Sequence, residues 1–177
     1  MSHAYLVLEG PSDIHLLQCI LPQGEVENVC FVDGKGKYGA ESLARSLAAT
    51  RDVPVALLID ADTSDETLIA QKRQDLTYLI RQISAGAPFR ILLAVPTIET
   101  IFFADRKLLE QLLERQLTDL EWQLGQRQPR ELLETVAGAN FVEGTLARLS
   151  KEQIESLRQH PLVEELMAFL MADMQVA

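Results

Sequence analysis

The chain has 177 residues, the usual size of one domain, and a chain of this length buries about 70% of its unfolded surface in a single core. Hydrophobic residues make up 47% and charged residues 24%, which excludes a disordered, collagen-like or low-complexity chain. The net charge is −10, from 26 acidic and 16 basic side chains, and disfavours non-specific attraction to nucleic acid or to an anionic membrane. We find no signal-peptide pattern and no apolar run approaching the roughly 18 residues of a membrane span, so we expect a cytoplasmic protein.

Short apolar runs rich in Val, Ile and Leu recur in the first 95 residues, at 5–8, 29–32, 53–59 and 90–95. Each run is continuous rather than alternating, which is typical of strands buried on both faces of a parallel sheet. Helices are predicted between the strands, over 12–21, 40–49 and 64–83, the last opened by a capping box from Thr63 to Glu66. This βαβαβαβ order predicts an α/β fold with a central, mostly parallel four-stranded sheet flanked by helices.

From about Thr97 onward the strand signal disappears and only helical periodicity remains. Leucines repeat at helical spacing between 108 and 113, and capping boxes are predicted at Thr118 and at Ser150. The sequence therefore predicts an α/β domain over 1–105 and a helical C-terminal extension over 106–177 that packs on it.

The two cysteines, Cys19 and Cys30, lie in apolar runs and form no CxxC pair. This pattern favours buried, reduced thiols rather than a disulfide or a metal site.

Acidic residues follow the predicted strands at the point where each strand ends. The candidates are Glu9, Asp13, Asp60, Asp62 and Glu99. Ligand sites in open parallel sheets form outside the carboxyl ends of the strands, so we expect these carboxylates to converge there. Converging carboxylates repel one another unless divalent cations neutralise them, and this favours a metal site.

Each acidic residue also has a purely structural explanation. Asp13 is a favourable charge in the first turn of its helix, and Asp60 with Asp62 suits a solvated turn. Glu99 suits a capping box or an exposed helix position. Their joint occurrence at equivalent strand ends is the argument for a site.

Two motifs resemble the Toprim family of topoisomerases, primases and nucleases. The segment LVLEGPSD is similar to the Toprim motif hhhEGxxD, and LLIDADT is similar to the DxD motif that follows its third strand. PTIETIFFAD resembles the Pro-x-x-Glu segment of small standalone Toprim-like proteins and of OLD (overcoming lysogenization defect) nucleases. The resemblance covers about the first 105 residues and leaves the helical extension unaccounted for.

The resemblance implies a Rossmann-like Toprim fold and cleavage of phosphodiester bonds in nucleic acid, with DNA favoured over RNA. It implies catalytic roles for Glu9, Asp60 and Asp62. It further implies that all five carboxylates, Asp13 and Glu99 included, hold Mg²⁺ or Mn²⁺, as a pair of ions.

Basic residues depart from this pattern, because none stands directly beside the DxD motif. Lys35 and Lys37, after the second strand, are the nearest candidates for binding a substrate phosphate. Substrate affinity then comes either from a partner, such as a separate ATPase or a second copy of the chain, or from a basic stripe. The candidates for that stripe are Arg73, Arg81, Arg106, Arg115, Arg127 and Arg130, each of which is otherwise expected on a solvated helix face.

Three other interpretations remain open. Gly34 to Gly39 reads G-x-G-x-x-G, the dinucleotide fingerprint, but after the second strand rather than the first. Asp60 to Ser64 also fits the DxDx[ST] motif of phosphohydrolases, with Asp60 as nucleophile and Asp62 as acid/base. The third is a non-catalytic module that binds metal or nucleic acid and docks on an ATPase through its helical extension.

Overall fold

A four-stranded sheet forms the centre of the molecule in the computed structural model, which describes residues 4–172. The strands are β1 (Ala4–Leu8), β2 (Val29–Asp33), β3 (Val55–Asp60) and β4 (Phe89–Ala94), in the spatial order β2-β1-β3-β4. All adjacent pairs are parallel, so the sheet described is entirely rather than mostly parallel. The α/β class expected from the apolar runs is confirmed.

Helices connect and follow the strands. They are α1 (Pro11–Ile20), α2 (Gln23–Val26), α3 (Lys37–Thr50), α4 (Glu66–Ile83), a 3₁₀ helix (Ile98–Phe103), α5 (Arg106–Leu113), α6 (Asp119–Arg127), α7 (Pro129–Ala137), α8 (Phe141–Leu146), α9 (Lys151–Arg158) and α10 (Pro161–Ala172). None of these helices is long and apolar enough to cross a membrane.

The two faces of the sheet are covered by different parts of the chain. One face, which includes Leu57 and Ile91, packs against α3 and α4, where Ala44 and its alanine neighbours let α3 approach closely. The other face packs against α1 and against the helices that follow β4, with Phe102 and Leu166 fully buried. The C-terminal helices therefore share a hydrophobic core with the sheet.

Helix α4 begins later than its sequence predicts. Asp65 is the N-cap, because its Oδ1 accepts hydrogen bonds from the backbone N–H of Thr67 at 2.8 Å and of Leu68 at 3.2 Å. The prediction of a capping box from Thr63 to Glu66 is wrong, because the carboxylate of Asp65 lies closer to the first turn and is the stronger acceptor. The capping boxes at Thr118 and Ser150 are both confirmed.

Both cysteines are free thiols, and both are half-buried rather than fully buried. Cys19 lies on α1 and packs against the core, and Cys30 lies on the outermost strand β2.

Candidate functional site

The ends of β1 and β3 are joined by a carboxylate. Glu9 follows β1, and its Oε1 accepts a hydrogen bond of 2.7 Å from the backbone N–H of Asp60, the last residue of β3. The two strands are neighbours in the sheet, so this bond spans their carboxyl ends. Parallel pairing thus brings two of the predicted site residues into direct contact.

Asp60 is buried, with 5% of its surface exposed, and both of its carboxylate oxygens are engaged. Oδ1 accepts from the backbone N–H of Ile98 at 2.8 Å, and Oδ2 accepts from Nη2 of Arg130 at 2.8 Å. Burial raises the pKa of Asp60, while the bond to Arg130 acts in the opposite direction. A charged partner is therefore built into the site.

Arg130 bridges two carboxylates from different segments. Its Nε donates to Oε1 of Glu99 at 3.0 Å while its Nη2 binds Asp60. Burial opposes the charge of Arg130, but Glu99 and Asp60 together keep the pKa of Arg130 above its usual value. The other oxygen of Glu99, Oε2, is buried without a hydrogen-bond partner among residues 4–172.

Asp62 lies at the solvent side of the site. Its side chain is 60% exposed and forms an ion pair with Lys37, whose Nζ is also 4.0 Å from Oε1 of Glu9. The backbone of Asp62 is left-handed, with φ of 56°, a conformation that costs free energy in residues other than glycine. The N–H of Asp62 donates to the carbonyl of Pro96 at 2.9 Å, which holds the DxD turn against the segment after β4.

A second lysine approaches the same edge. Nζ of Lys72, on α4, donates to the backbone carbonyl of Asp60 at 3.2 Å. Burial lowers the pKa of Lys37, and the nearby charge of Lys72 lowers it further. Two lysines on different helices therefore face the ends of β1 and β3.

Glycines position Lys37. A Cβ at Gly34 would lie 2.5 Å from the Cβ of Ala40, and a Cβ at Gly39 would lie 1.9 Å from the carbonyl oxygen of Gly34. Gly36 has a left-handed φ of 107°, and its N–H donates to the carbonyl of Glu9 at 2.7 Å. Close packing and backbone conformation thus explain the G-x-G-x-x-G pattern without a bound dinucleotide.

Asp13 shows that the carboxylates act on one another. Burial raises its pKa to about 7, and the charges of Asp60, Glu9 and Glu99 add to the effect while Arg130 reduces it. Asp62 is connected to the other carboxylates through its ion pair with Lys37, which also lies near Glu9. We refer to the five predicted carboxylates, Glu9, Asp13, Asp60, Asp62 and Glu99, as the acidic cluster.

Of the two lysines predicted to bind phosphate, only one contacts the acidic cluster. Lys37 contacts the acidic cluster, whereas Lys35 has an exposed side chain and a left-handed backbone, with its N–H bonded to Oδ1 of Asp33 at 2.8 Å. Within the described residues, Lys35 forms no ion pair with the cluster.

Sequence reasoning misses Lys72 and gives Arg130 no role among the carboxylates. The signal for Lys72 is that a helix following β3 packs back along that strand, which brings its side chains near the end of the strand. Arg130 is a sequence candidate for a basic stripe or a solvated helix face, and in the structure it is partly exposed and bridges Asp60 and Glu99. The 70 residues between Asp60 and Arg130 leave no local spacing signal.

The acidic cluster fits a divalent cation in chemistry but does not form a closed cage. Hard oxygen donors and the unpartnered Oε2 of Glu99 suit Mg²⁺ or Mn²⁺. As the side chains stand, no three His, Cys, Asp or Glu residues within 4–172 are grouped to hold a metal ion. Binding a cation would therefore require these carboxylates to move closer together.

Comparisons with protein-family models, with curated proteins and with solved structures find no match to this chain.

Proposed function

We propose that this protein cleaves phosphodiester bonds of nucleic acid, DNA in preference to RNA, with a divalent cation at the acidic cluster. The observation that carries the proposal is that acids following β1, β3 and β4 meet at one edge of the sheet. Glu9 binds the backbone N–H of Asp60, and Arg130 bridges Asp60 and Glu99. Three cations from separate segments lie at the same edge. Lys37 pairs with Asp62, Lys72 donates to the backbone carbonyl of Asp60, and Arg130 pairs with the Asp60 carboxylate. Carboxylates that hold metal, beside cations that hold phosphate, are the groups that phosphoryl transfer requires.

Glu9, Asp13, Asp60, Asp62 and Glu99 would hold Mg²⁺ or Mn²⁺, as two ions in the arrangement that the Toprim resemblance implies. Such ions supply an acidified water and neutralise the leaving oxygen. Because the cluster has five carboxylates against three cations, it keeps an excess of negative charge that divalent cations would offset.

The chain's own residues perform the remaining steps. Oε1 of Glu9 is bound to the backbone of Asp60, which orients the carboxylate, and Glu9 moves a proton to or from the reacting oxygen. Lys37, at the first turn of α3, binds a non-bridging phosphate oxygen, and Lys72 adds positive charge beside it. Arg130 holds Asp60 and Glu99 in place until substrate and metal compete for them.

The Toprim resemblance supports the same residues, since its EGxxD and DxD motifs supply Glu9, Asp13, Asp60 and Asp62. We place the protein in the cytoplasm, with nucleic acid as substrate and a separate ATPase as a candidate partner. The phosphohydrolase alternative is less well supported, because its DxDx[ST] motif gives no role to Glu9, whose Oε1 binds the backbone N–H of Asp60.

A non-catalytic subunit is the second candidate function. Leu120 and Leu124 lie one turn apart on α6 with 65% and 45% of their surface exposed, and this apolar pair suits docking on a partner. The leucines of α5, by contrast, are mostly buried in the core. A stable complex with an ATPase that never cleaves nucleic acid would favour this function.

Nicking of supercoiled plasmid in Mn²⁺ tests the proposal. The wild-type chain should nick the plasmid, EDTA should stop it, and Glu9→Gln or Asp60→Asn should abolish it. Glu27→Gln and Asp52→Asn are matched controls, because both residues are exposed and outside the acidic cluster. Equal nicking by all four variants would show a contaminating nuclease and contradict the proposal.

A further inference from the structure

A groove of about 580 Å³ runs along the open edge of β4, between α4 and α10. β4 is the outermost strand on this side of the sheet, so nothing pairs with its outer edge within the described residues. The groove is lined by Arg73 and Arg81 of α4, Arg90 of β4 and Phe169 of α10. We refer to Arg73, Arg81 and Arg90 as the arginine groove.

The arginine groove has an excess of positive charge in a chain whose net charge is −10. Within residues 4–172, neither Arg73 nor Arg81 forms an ion pair. Arg90 lies 3.6 Å from Glu165 and over the ring of Phe169, and this exposed pair leaves most of its charge available. The ligand that complements this groove is an anion.

The arginines are spaced along a line. Arg73 and Arg81 are eight residues apart on one face of α4, which separates them by about 12 Å along the helix axis. A second hollow of about 600 Å³ continues the groove across the same face and contains Tyr78, whose surface is 62% exposed. One acid, Glu66, also lines that hollow. Arginines interleaved with an accessible aromatic ring are typical of surfaces that bind single-stranded nucleic acid.

Helix α4 connects the arginine groove with the acidic cluster. Lys72, which donates to the carbonyl of Asp60, directly precedes Arg73 but lines a different hollow of the helix, together with Glu41 and Asp75. A polyanionic chain in the arginine groove would therefore have to pass around α4 to reach the acidic cluster.

We propose that the arginine groove binds the sugar-phosphate backbone of a single-stranded nucleic acid whose scissile bond lies at the acidic cluster. The identity of this ligand rests on the proposed function. An acidic peptide that adds a strand to β4 fits less well, because Nη1 of Arg73 already donates to the carbonyl of Ile91 at 2.8 Å. An added strand would need that carbonyl as an acceptor.

Fluorescence anisotropy with a labelled oligothymidylate in EDTA tests the groove without cleavage. The test variant is Arg81→Gln with Arg90→Gln, since both side chains are exposed and neither makes a hydrogen bond within the described residues. Losing two phosphate contacts should weaken binding roughly tenfold and lower the slope of log affinity against log salt by about 1.4. The matched control, Arg127→Gln with Arg148→Gln, removes the same charge from α6 and from the segment after α8 and should leave both quantities unchanged.

Three results would overturn the proposal. The first is a wild-type chain that does not bind the oligonucleotide. The second is equal weakening of oligonucleotide binding by the two double variants when both show wild-type circular dichroism. The third is displacement of the labelled oligonucleotide by oligoglutamate at a lower concentration than by unlabelled oligothymidylate. The last result would identify a peptide site. The proposed function can fail separately from the groove. If the chain binds the oligonucleotide through the groove but never nicks DNA, the cleavage proposal is wrong and the groove proposal stands. If the chain nicks DNA and the groove variant has no effect on binding, only the groove proposal is wrong.

Discussion

Two edges of the same sheet differ in their charged side chains: acids predominate at one edge and arginines at the other. At the carboxyl edge, acids that follow β1, β3 and β4, of which Asp60 is buried, lie beside cations from α3, α4 and α7. Along the outer edge of β4, arginines from α4 and β4 line a groove in which Glu165 is the one acid paired with them among residues 4–172. The net charge of −10 belongs to the whole chain and does not give the local charge at either edge.

The difference between the edges distinguishes charged side chains that stabilise the fold from charged side chains that are free to bind a ligand. An arginine that neutralises a buried acid contributes to stability, because its loss leaves a charge without a partner. An arginine in an open groove contributes little to stability and is available to a ligand. Removing the same side chain at each edge should therefore have different effects.

The largest effect is expected from Arg130→Ala. The substitution leaves buried Asp60 and half-buried Glu99 without their shared partner. We expect a loss of about 2 kcal/mol in the free energy of unfolding, below the value for a fully buried pair because Arg130 is partly exposed. Urea denaturation measures it, with Arg127→Ala as the control that should change stability by less than about 0.5 kcal/mol. Equal losses in both variants would mean that Arg130 is not a structural counter-ion.

The next effect is a pH dependence caused by Asp13. Its pKa is about 7 in the folded chain against 3.8 for an ordinary aspartate, so the unfolded chain binds fewer protons between these values. Stability therefore falls as pH rises from about 4 to about 7, and Asp13→Asn should remove about 1–2 kcal/mol of that fall after allowance for solvent screening. Urea denaturation at a series of pH values tests this, and parallel profiles for the two proteins would contradict the raised pKa.

A smaller effect is expected from Asp62→Gly. Glycine relieves the left-handed backbone at φ of 56°, while the exposed ion pair with Lys37 is lost. These changes offset each other, so we expect stability within about 0.5 kcal/mol of wild type together with loss of Mn²⁺-dependent nicking. Thermal denaturation and the plasmid assay check the two parts. A variant that nicks normally would remove Asp62 from the site.

The smallest effect completes the comparison of the edges. Arg81→Gln should change the free energy of unfolding by less than about 0.5 kcal/mol, because Arg81 is exposed and forms no ion pair within the described residues. Urea denaturation alongside Arg130→Ala makes the comparison direct. A loss as large as that of Arg130→Ala would show that the arginine groove is a structural feature.

The sequence predicts the two edges to different degrees. Convergence of Glu9 and Asp60 follows from parallel strands that end at one edge, a rule that needs only the strand order along the chain. The role of Arg130 does not follow, since it depends on how α7 docks 70 residues after Asp60. The arginine groove likewise depends on α10 flanking β4, which no local pattern encodes.

Local detail was predictable to different degrees at the two capping sites. The capping box at Thr118 forms even though Asp119 follows it directly, whereas in α4 Asp65 replaces Thr63 as the N-cap because its carboxylate accepts from the first turn. Lys35 and Lys37 are two residues apart, and the left-handed turn at Lys35 and Gly36 directs only Lys37 to the acidic cluster.

Mn²⁺ binding measured by calorimetry at pH 7 tests the central claim that the acidic cluster acts as one cation-holding unit. The wild-type chain should bind Mn²⁺, and the heat should vary with the ionisation enthalpy of the buffer, because a half-protonated Asp13 releases its proton on binding. Asp13→Asn should remove the buffer dependence, and Glu9→Gln or Asp60→Asn should abolish binding. Undiminished binding by Glu9→Gln and Asp60→Asn, or no binding by the wild-type chain, would contradict the account.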